Sequence, residues 1–160
     1  MADVSEEGKV LAKHKRTLGQ VRKGFTYFGD GDVLFAKITP CMENGKGALV
    51  DGLTNGIGFG STEFHVLRPL DEADKWYCFH VSKMEVFRKE AEKMMTGSAG
   101  QRRVQTEFFN YYSLHLPTKE GRVKFGEVMN AYEQQKDDLK AFIEQTKQIK
   151  QQLINQIFSA

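Results

Sequence analysis

Apolar and polar positions recur with different periods along this chain, and the change of period divides it. Val33, Leu34, Phe35, Ala36 and Ile38 form a short apolar run within residues 32–39, after the turn signal Phe28–Gly31 and before Pro40. A run of that length between turn residues predicts a mostly buried strand. Gly47–Val50, set between Asn44-Gly45 and Asp51-Gly52, predicts a second strand. Residues 62–68 alternate Phe64, Val66 and Arg68 against Glu63, His65 and Leu67, which predicts a third. Phe79, Met84, Phe87 and Ala91 recur at helical spacings within 75–95, and Gly97–Gly100 closes that helix. Val104 and residues 108–116 read as further strand, ended by Pro117. Val33, Leu34, Phe35, Ile38, Phe64, Val66 and Leu67 are the expected core, and Gly58, Gly60, Gly97 and Gly100 the expected turn formers. Short strands with one or two helices predict an α+β fold.

From Phe125 onward the period becomes helical. Positions 125, 128, 132, 139, 142, 146, 149 and 153 are apolar or tolerant, with gaps of three and four interrupted at Gln135. Fourteen of the 15 glycines and all three prolines lie at or before residue 121, so little beyond it breaks a helix. The expected organisation is a mixed small-strand domain over 1–120 followed by a long coiled-coil-type helix over 121–160. A helix of about 35 residues is about 50 Å long at 1.5 Å per residue, too long to bury its stripe against one small domain. Val128, Tyr132, Leu139, Phe142, Ile143, Ile149, Leu153 and Ile157 are therefore expected to meet another helix. That helix comes from a second copy or from a different protein; the alternative is a helix folded back along its own domain.

Charge narrows the partner. The 160 residues carry 23 Lys and Arg against 21 Asp and Glu, a net charge of +2, which excludes a polybasic binder. Two local stretches differ from that average. Residues 13–24 hold Lys13, Lys15, Arg16, Arg22 and Lys23 with no acid, and residues 93–103 hold Lys93, Arg102 and Arg103 with none. Lys13, Lys15, Arg16, Arg22 and Lys23 are candidate phosphate anchors. Ser98, Gln101, Arg102 and Arg103, in a run of small residues, suit close approach to a nucleic-acid backbone. Asn44, Lys46, Gln101, Arg102 and Arg103 are also side chains able to address base edges. Lys37, alone in an apolar strand, either snorkels or faces nucleic acid.

Chemistry of other kinds finds little support. The histidines at 14, 65, 80 and 115 show no His-x-x-x-His pair, and Cys78 with His80 is too small a set for zinc. Neither a phosphate-loop pattern nor a Gly-x-Ser-x-Gly elbow occurs. No catalytic residue, metal or cofactor is expected. The acidic start of the chain does not read as a signal peptide, and no apolar run approaches the ~20 residues of a membrane span. Cys41 and Cys78, widely spaced, read as reduced thiols of a cytoplasmic protein.

Four segments together carry a resemblance: GDVLFAKITPCMENGKG at 31–47, GIGFGSTEFHVLRP at 56–69, MTGSAGQRRV at 95–104 and LHLP at 114–117, followed by the long helix. In this order they resemble the target recognition domain of the specificity (S) subunit of type I restriction–modification systems. The resemblance implies a non-catalytic subunit that reads half of a bipartite double-stranded DNA site. It also implies docking to methyltransferase (modification) subunits, with a restriction subunit joining them. One recognition domain and one helix look like half of such a subunit, so the helix gains an expected partner in the same helix of a second copy, giving a homodimer. The family usually has a further stretch before the segment that starts here at Met1. A second expectation follows from that difference: a truncated interaction protein that binds or blocks methyltransferase or specificity subunits through its helix.

Overall fold

In the computed structural model, which describes residues 1–98 and 100–158, the chain divides into two units, Met1–Gly126 and Glu127–Ala160. The first unit contains α1 (Leu18–Val21), β1 (Thr26–Gly29), β2 (Val33–Ala36), β3 (Gly47–Leu49), β4 (Ile57–Gly60) and β5 (Phe64–Leu67). After these come α2 (Lys75–Lys83), α3 (Glu85–Lys93), β6 (Met95–Thr96), β7 (Arg103–Val104) and α4 (Phe108–Tyr111). Small antiparallel sheets precede one long helix, α5 (Lys119–Phe158), so the arrangement is α+β as expected.

β2 organises the first unit. It is the middle strand of the antiparallel sheet β3-β2-β5, and all four of its residues are buried. Phe35 packs into one cluster with Met42, Val81, Phe87, Ala91, Met95, Val104 and Phe108. Leu34 and Ala36 pack into a second, with Val4, Phe28, Ala48, Val50 and Phe64. A strand covered on both faces has no polar side, which is why its sequence is a continuous apolar run. Of the expected core, Val33, Leu34, Phe35 and Phe64 are buried, whereas Ile38, Val66 and Leu67 are half-buried.

The ribbon of β1 and β4 follows a different rule. Its register pairs Tyr27 with Phe59 and Phe28 with Gly58. Phe28 is the inward residue, and a Cβ at Gly58 would lie 2.3 Å from its ring. Gly58 and Gly60 are therefore strand residues kept small by the Phe28 ring, not the turn formers expected. Gly97, by contrast, has φ +126°, and a Cβ there would also sit 2.8 Å from the Gln101 carbonyl. Its role as a turn former holds, as does that of Gly100 at φ +79°; Ala99 between them lies outside the described residues.

Two periodicities misled. The expected helix over 75–95 is two helices, broken at Met84 with ψ 135°. The Ser82 hydroxyl donates to the Phe79 carbonyl (2.6 Å), competing with the helical ladder just before the break. Residues 108–116 are not a strand either. Phe108, Phe109 and Tyr112, spaced i, i+1 and i+4, form one helical turn over the first core cluster. Aromatic density favoured the strand reading, although the spacing is helical.

The base of the long helix belongs to the first unit. Arg122 donates from Nε and Nη2 to Asp74 at 2.7 and 3.1 Å, and Lys119 pairs with Asp71. Tyr77 meets Phe125 edge to face, and Gly126 leaves room for Trp76.

One polar group is sealed inside the strands. Asp32, at the entrance to β2, is 2% exposed. It accepts from Arg68 Nε at 2.7 Å, Arg68 Nη2 at 2.6 Å and the Gly29 amide at 2.7 Å. Burial raises its pKa, but the hydrogen bonds from Arg68 and Gly29 outweigh that and hold the carboxyl below its ordinary value. Asp32→Ala should lower the free energy of unfolding by about 2–4 kcal/mol in urea titrations, because the Gly29 donor and the Arg68 cation both lose their acceptor. An unfolding midpoint unchanged from wild type would contradict this role.

Candidate nucleic-acid interface

The predicted DNA-facing residues fall into separate places on the first unit. Lys13 reaches back to the turn between β3 and β4, its Nζ donating to the carbonyls of Asp51 (2.6 Å) and Gly52 (3.3 Å). Lys15, Arg16, Arg22 and Lys23 are exposed around the short helix α1, and Arg16 donates to the Lys15 carbonyl. Asn44 and Lys46 sit in the loop before β3. Asn44 donates to Glu6 at 2.9 Å, and Lys46 makes a long contact of 3.5 Å to the Met1 carbonyl.

Lys37, Arg102 and Arg103 converge. β7 returns alongside the end of β2: the Val104 amide donates to the Lys37 carbonyl at 2.8 Å, and the Thr39 amide to the Arg102 carbonyl at 3.0 Å. Ser98 and Gln101 are exposed on the loop leading there, and the Gln101 amide donates to the Ser98 carbonyl. The loop that carries no acid in sequence meets three in space. Arg102 pairs with Glu43 at 3.2 Å and Glu92 at 3.7 Å, while Arg103 embraces Glu63 through Nε and Nη2. Arg103 Nη1 donates to the Gln101 carbonyl at 2.9 Å, so all three of its guanidinium nitrogens are engaged. Lys93 pairs with Glu90 at 2.6 Å.

These pairings shift the titration of their surroundings. Hydrogen bonds from Arg103 pull the Glu63 carboxyl below its usual range, despite partial burial, with Lys37 adding attraction. Burial lowers the pKa of His65, and Lys37 lowers it further, although the 2.8 Å bond between Nε2 and the Val104 carbonyl favours the charged ring.

A second surface was not anticipated. The outward face of the β1–β4 ribbon carries Tyr27 opposite Phe59, with ring centroids 5.6 Å apart, and Ile57 beside them. The Arg68 guanidinium lies 5.7 Å from the centre of the Tyr27 ring, and its side chain is 57% exposed. The signal for Arg68 was present in the sequence: a lone acid, Asp32, opens an apolar strand and needs a cation when buried.

Residues 127–158 form the second unit's described part, and no residue among them is buried. Their polar side chains bond along the helix, Gln134 to Asp138 and Gln151 to Asn155 at 3.0 Å each. Val128, Tyr132, Leu139, Phe142, Ile143, Ile149, Leu153 and Ile157 are all exposed.

Among the described residues, no group of three His, Cys, Asp or Glu could hold a metal ion. No helix among them is long and apolar enough to cross a membrane. Cys41 and Cys78 are free thiols, and burial pushes Cys78 up to about 11, far from a reactive thiolate.

The fold is a small α+β unit and a helix with an exposed apolar stripe, and the class expected from the four sequence segments is tested by comparison with known proteins. Over about two thirds of its length the chain is similar to specificity subunits of type I restriction enzymes. It is 45% identical over 108 residues to the type I restriction enzyme EcoEI specificity subunit of Escherichia coli, covering 66% of this chain and 18% of that protein. With the EcoAI specificity subunit of the same organism it is 43% identical over 119 residues, 71% of this chain and 20% of the relative. The resemblance to that family is thereby borne out, and the chain spans about a fifth of the length of these relatives. No protein-family profile matches the chain, and no solved structure does.

The pH dependence of stability follows from the shifted groups. A pKa lowered by folding means that the unfolded chain takes up the proton first, so stability is complete above the unfolded value and is lost as pH falls toward the folded one. Melting temperature should be level above the ordinary histidine value of 6.5 and should fall below it as His65 resists protonation. A second decline should follow as pH drops below the ordinary values of Glu63 (4.5) and Asp32 (3.8). His65→Gln, which can still donate to the Val104 carbonyl, should remove the first stage and leave the second. Thermal melts of both proteins from pH 8 to pH 3 decide it, and an identical first decline in the variant would refute the assignment.

Proposed function

We propose that this chain is a DNA sequence-recognition module of a type I restriction–modification system, with no catalytic centre of its own. It reads one half of a bipartite duplex target through its first unit and docks methyltransferase subunits through its helix, in complexes that a restriction subunit joins. The observation that carries the reading is the 43–45% identity to two specificity subunits. The exposed stripe from Val128 to Ile157 supports pairing with the same helix of a second copy, which would hold two recognition units at a fixed separation on a palindromic site. The setting is the cytoplasm, where such a complex meets DNA.

Lys15, Arg16, Arg22 and Lys23 are the cations best suited to phosphate, since no carboxylate pairs with them among the described residues. Replacing all four by Ala should weaken duplex binding evenly across sequences. For every phosphate that the variant no longer neutralises, the slope of log affinity against log salt should become shallower by about 0.9. Fluorescence titrations from about 50 to 200 mM salt, with methyltransferase present, measure this. Absence of duplex binding by the wild-type chain at the lowest salt would sink the proposal.

The second reading is a protein-only function, in which the helix binds or blocks a methyltransferase or specificity subunit. It is favoured by the internal pairing of Arg102 and Arg103, which makes them braces of the fold before they are ligands of DNA. The triple variant Leu139→Glu, Phe142→Glu, Ile149→Glu separates the two readings. If DNA is the ligand of the first unit, sedimentation should show pairing abolished while residual duplex binding persists. On the protein-only reading, partner binding vanishes and no duplex binding exists to persist.

A further inference from the structure

Arg68 differs from the other arginines whose carboxylate pairs are described above. A guanidinium has five N–H donors in one plane, along a side edge formed by Nε and Nη2 and an end edge formed by Nη1 and Nη2. In Arg68 the side edge is occupied by Asp32, at 2.7 and 2.6 Å. The end edge then points away from that carboxylate, by the planarity of the group. Arg103 uses its side edge on Glu63 in the same manner, but its Nη1 is spent on the Gln101 carbonyl. Arg68 has no such second backbone partner among the described residues, and its side chain is 57% exposed. Around it lies an apolar surface, with the Tyr27 ring against the guanidinium and Phe59 across the ribbon from Tyr27.

We infer that Arg68 is a base-reading residue, whose end edge donates a bidentate pair to O6 and N7 of a guanine in the major groove, with Asp32 and Tyr27 as its positioning residues. This rests on the DNA-recognition reading above and places a specificity determinant within it. Two acceptors on one planar edge are also offered by a phosphate, and charge decides between them. The buried Asp32 carboxylate already balances the Arg68 cation, so the pair attracts an anion weakly. The end-edge donors that Asp32 does not take keep their direction, with the Tyr27 side chain as a hydrogen-bonding neighbour, and a neutral acceptor edge such as guanine needs only directional donors. The apolar surroundings point the same way, since Tyr27, Phe59 and Ile57 suit the flat faces and methyl groups of bases better than a hydrated phosphate. The bidentate anchor also limits the side-chain entropy lost on binding, because the guanidinium is oriented before DNA arrives.

The test is selection of bound sequences from a randomised duplex library by the full-length chain, followed by fluorescence titration of the selected duplex. Arg68→Lys keeps a cation for Asp32 but lacks the planar fork. Asp32→Leu combined with Arg68→Met removes both charges, so neither is stranded, and thermal melts verify that each variant folds. The wild-type motif should contain a guanine preferred by about 10-fold or more over other bases. Both variants should lose that preference at that position alone, with the remaining motif and the salt slope kept. A motif unchanged in folded variants would overturn the role of Arg68 while leaving DNA recognition standing. An even loss across all sequences, with the salt slope reduced by about 0.9, would make Arg68 a phosphate ligand and overturn the guanine assignment. If the wild-type chain enriches no motif, the DNA-recognition reading falls and this inference falls with it.

Discussion

A carboxylate closed inside an apolar sheet is tolerated only where a cation and further donors reach it, and the pairing of Asp32 with Arg68 meets that requirement. Asp32 links three strands. Its side chain takes the Gly29 amide at the end of β1, its carbonyl takes the Val50 amide beyond β3, and its partner Arg68 follows β5. The sheet β3-β2-β5 and the ribbon β1–β4 are thereby fixed to a common point. Removing the acid would loosen the junction between the two sheets and leave each core cluster nearly whole. On the proposed reading stability and function are joined at this pair, because the hydrogen bonds that satisfy the buried acid are the ones that orient the exposed guanidinium.

Elements whose periods are set by burial on one or two faces were legible in the sequence. β2, β3 and β5 fall within the expected strands, and the long helix follows its heptad-like stripe straight through the interruption at Gln135. What escaped depends on contacts far apart in sequence. The Phe28 ring decides that Gly58 is a strand residue and not a turn, and nothing near Gly58 says so. The aromatic run at 108–112 reads by composition as strand, yet it serves the core better as one turn of helix, because the i, i+4 spacing of Phe108 and Tyr112 sets both rings against the cluster around Phe87. Propensity was overruled by packing there.

The candidate interface was legible in a different way, since charges can be counted along the chain while their partners cannot. Residues 93–103 are acid-free in sequence, but folding brings Glu43, Glu63, Glu90 and Glu92 to their cations. A basic stretch read from sequence is therefore an upper bound on a basic surface. The stretch 13–24 meets fewer acids: Lys13 is held by carbonyls, which leave its charge uncancelled, while His14 faces Asp3 at 3.6 Å. The two segments that looked alike in sequence thus part company. One braces the fold, and the other keeps exposed cations on short, weakly anchored backbone.

That difference bears on how a chain with a net charge of +2 could recognise DNA at all. Long-range attraction scales with uncancelled charge, and among the described residues Lys15, Arg16, Arg22 and Lys23 near α1 carry such charge close together in sequence. Selectivity draws on something else, namely donors whose direction is fixed at no cost in net charge. A cation neutralised by a buried acid loses its pull on phosphates in general and keeps its preference for a matching acceptor edge. If the proposed reading holds, separating the two tasks in this way would suit a small module working beside larger subunits. Those subunits would supply the non-specific attraction to the duplex, and the ribbon would need to contribute only the discrimination between one base pair and the next.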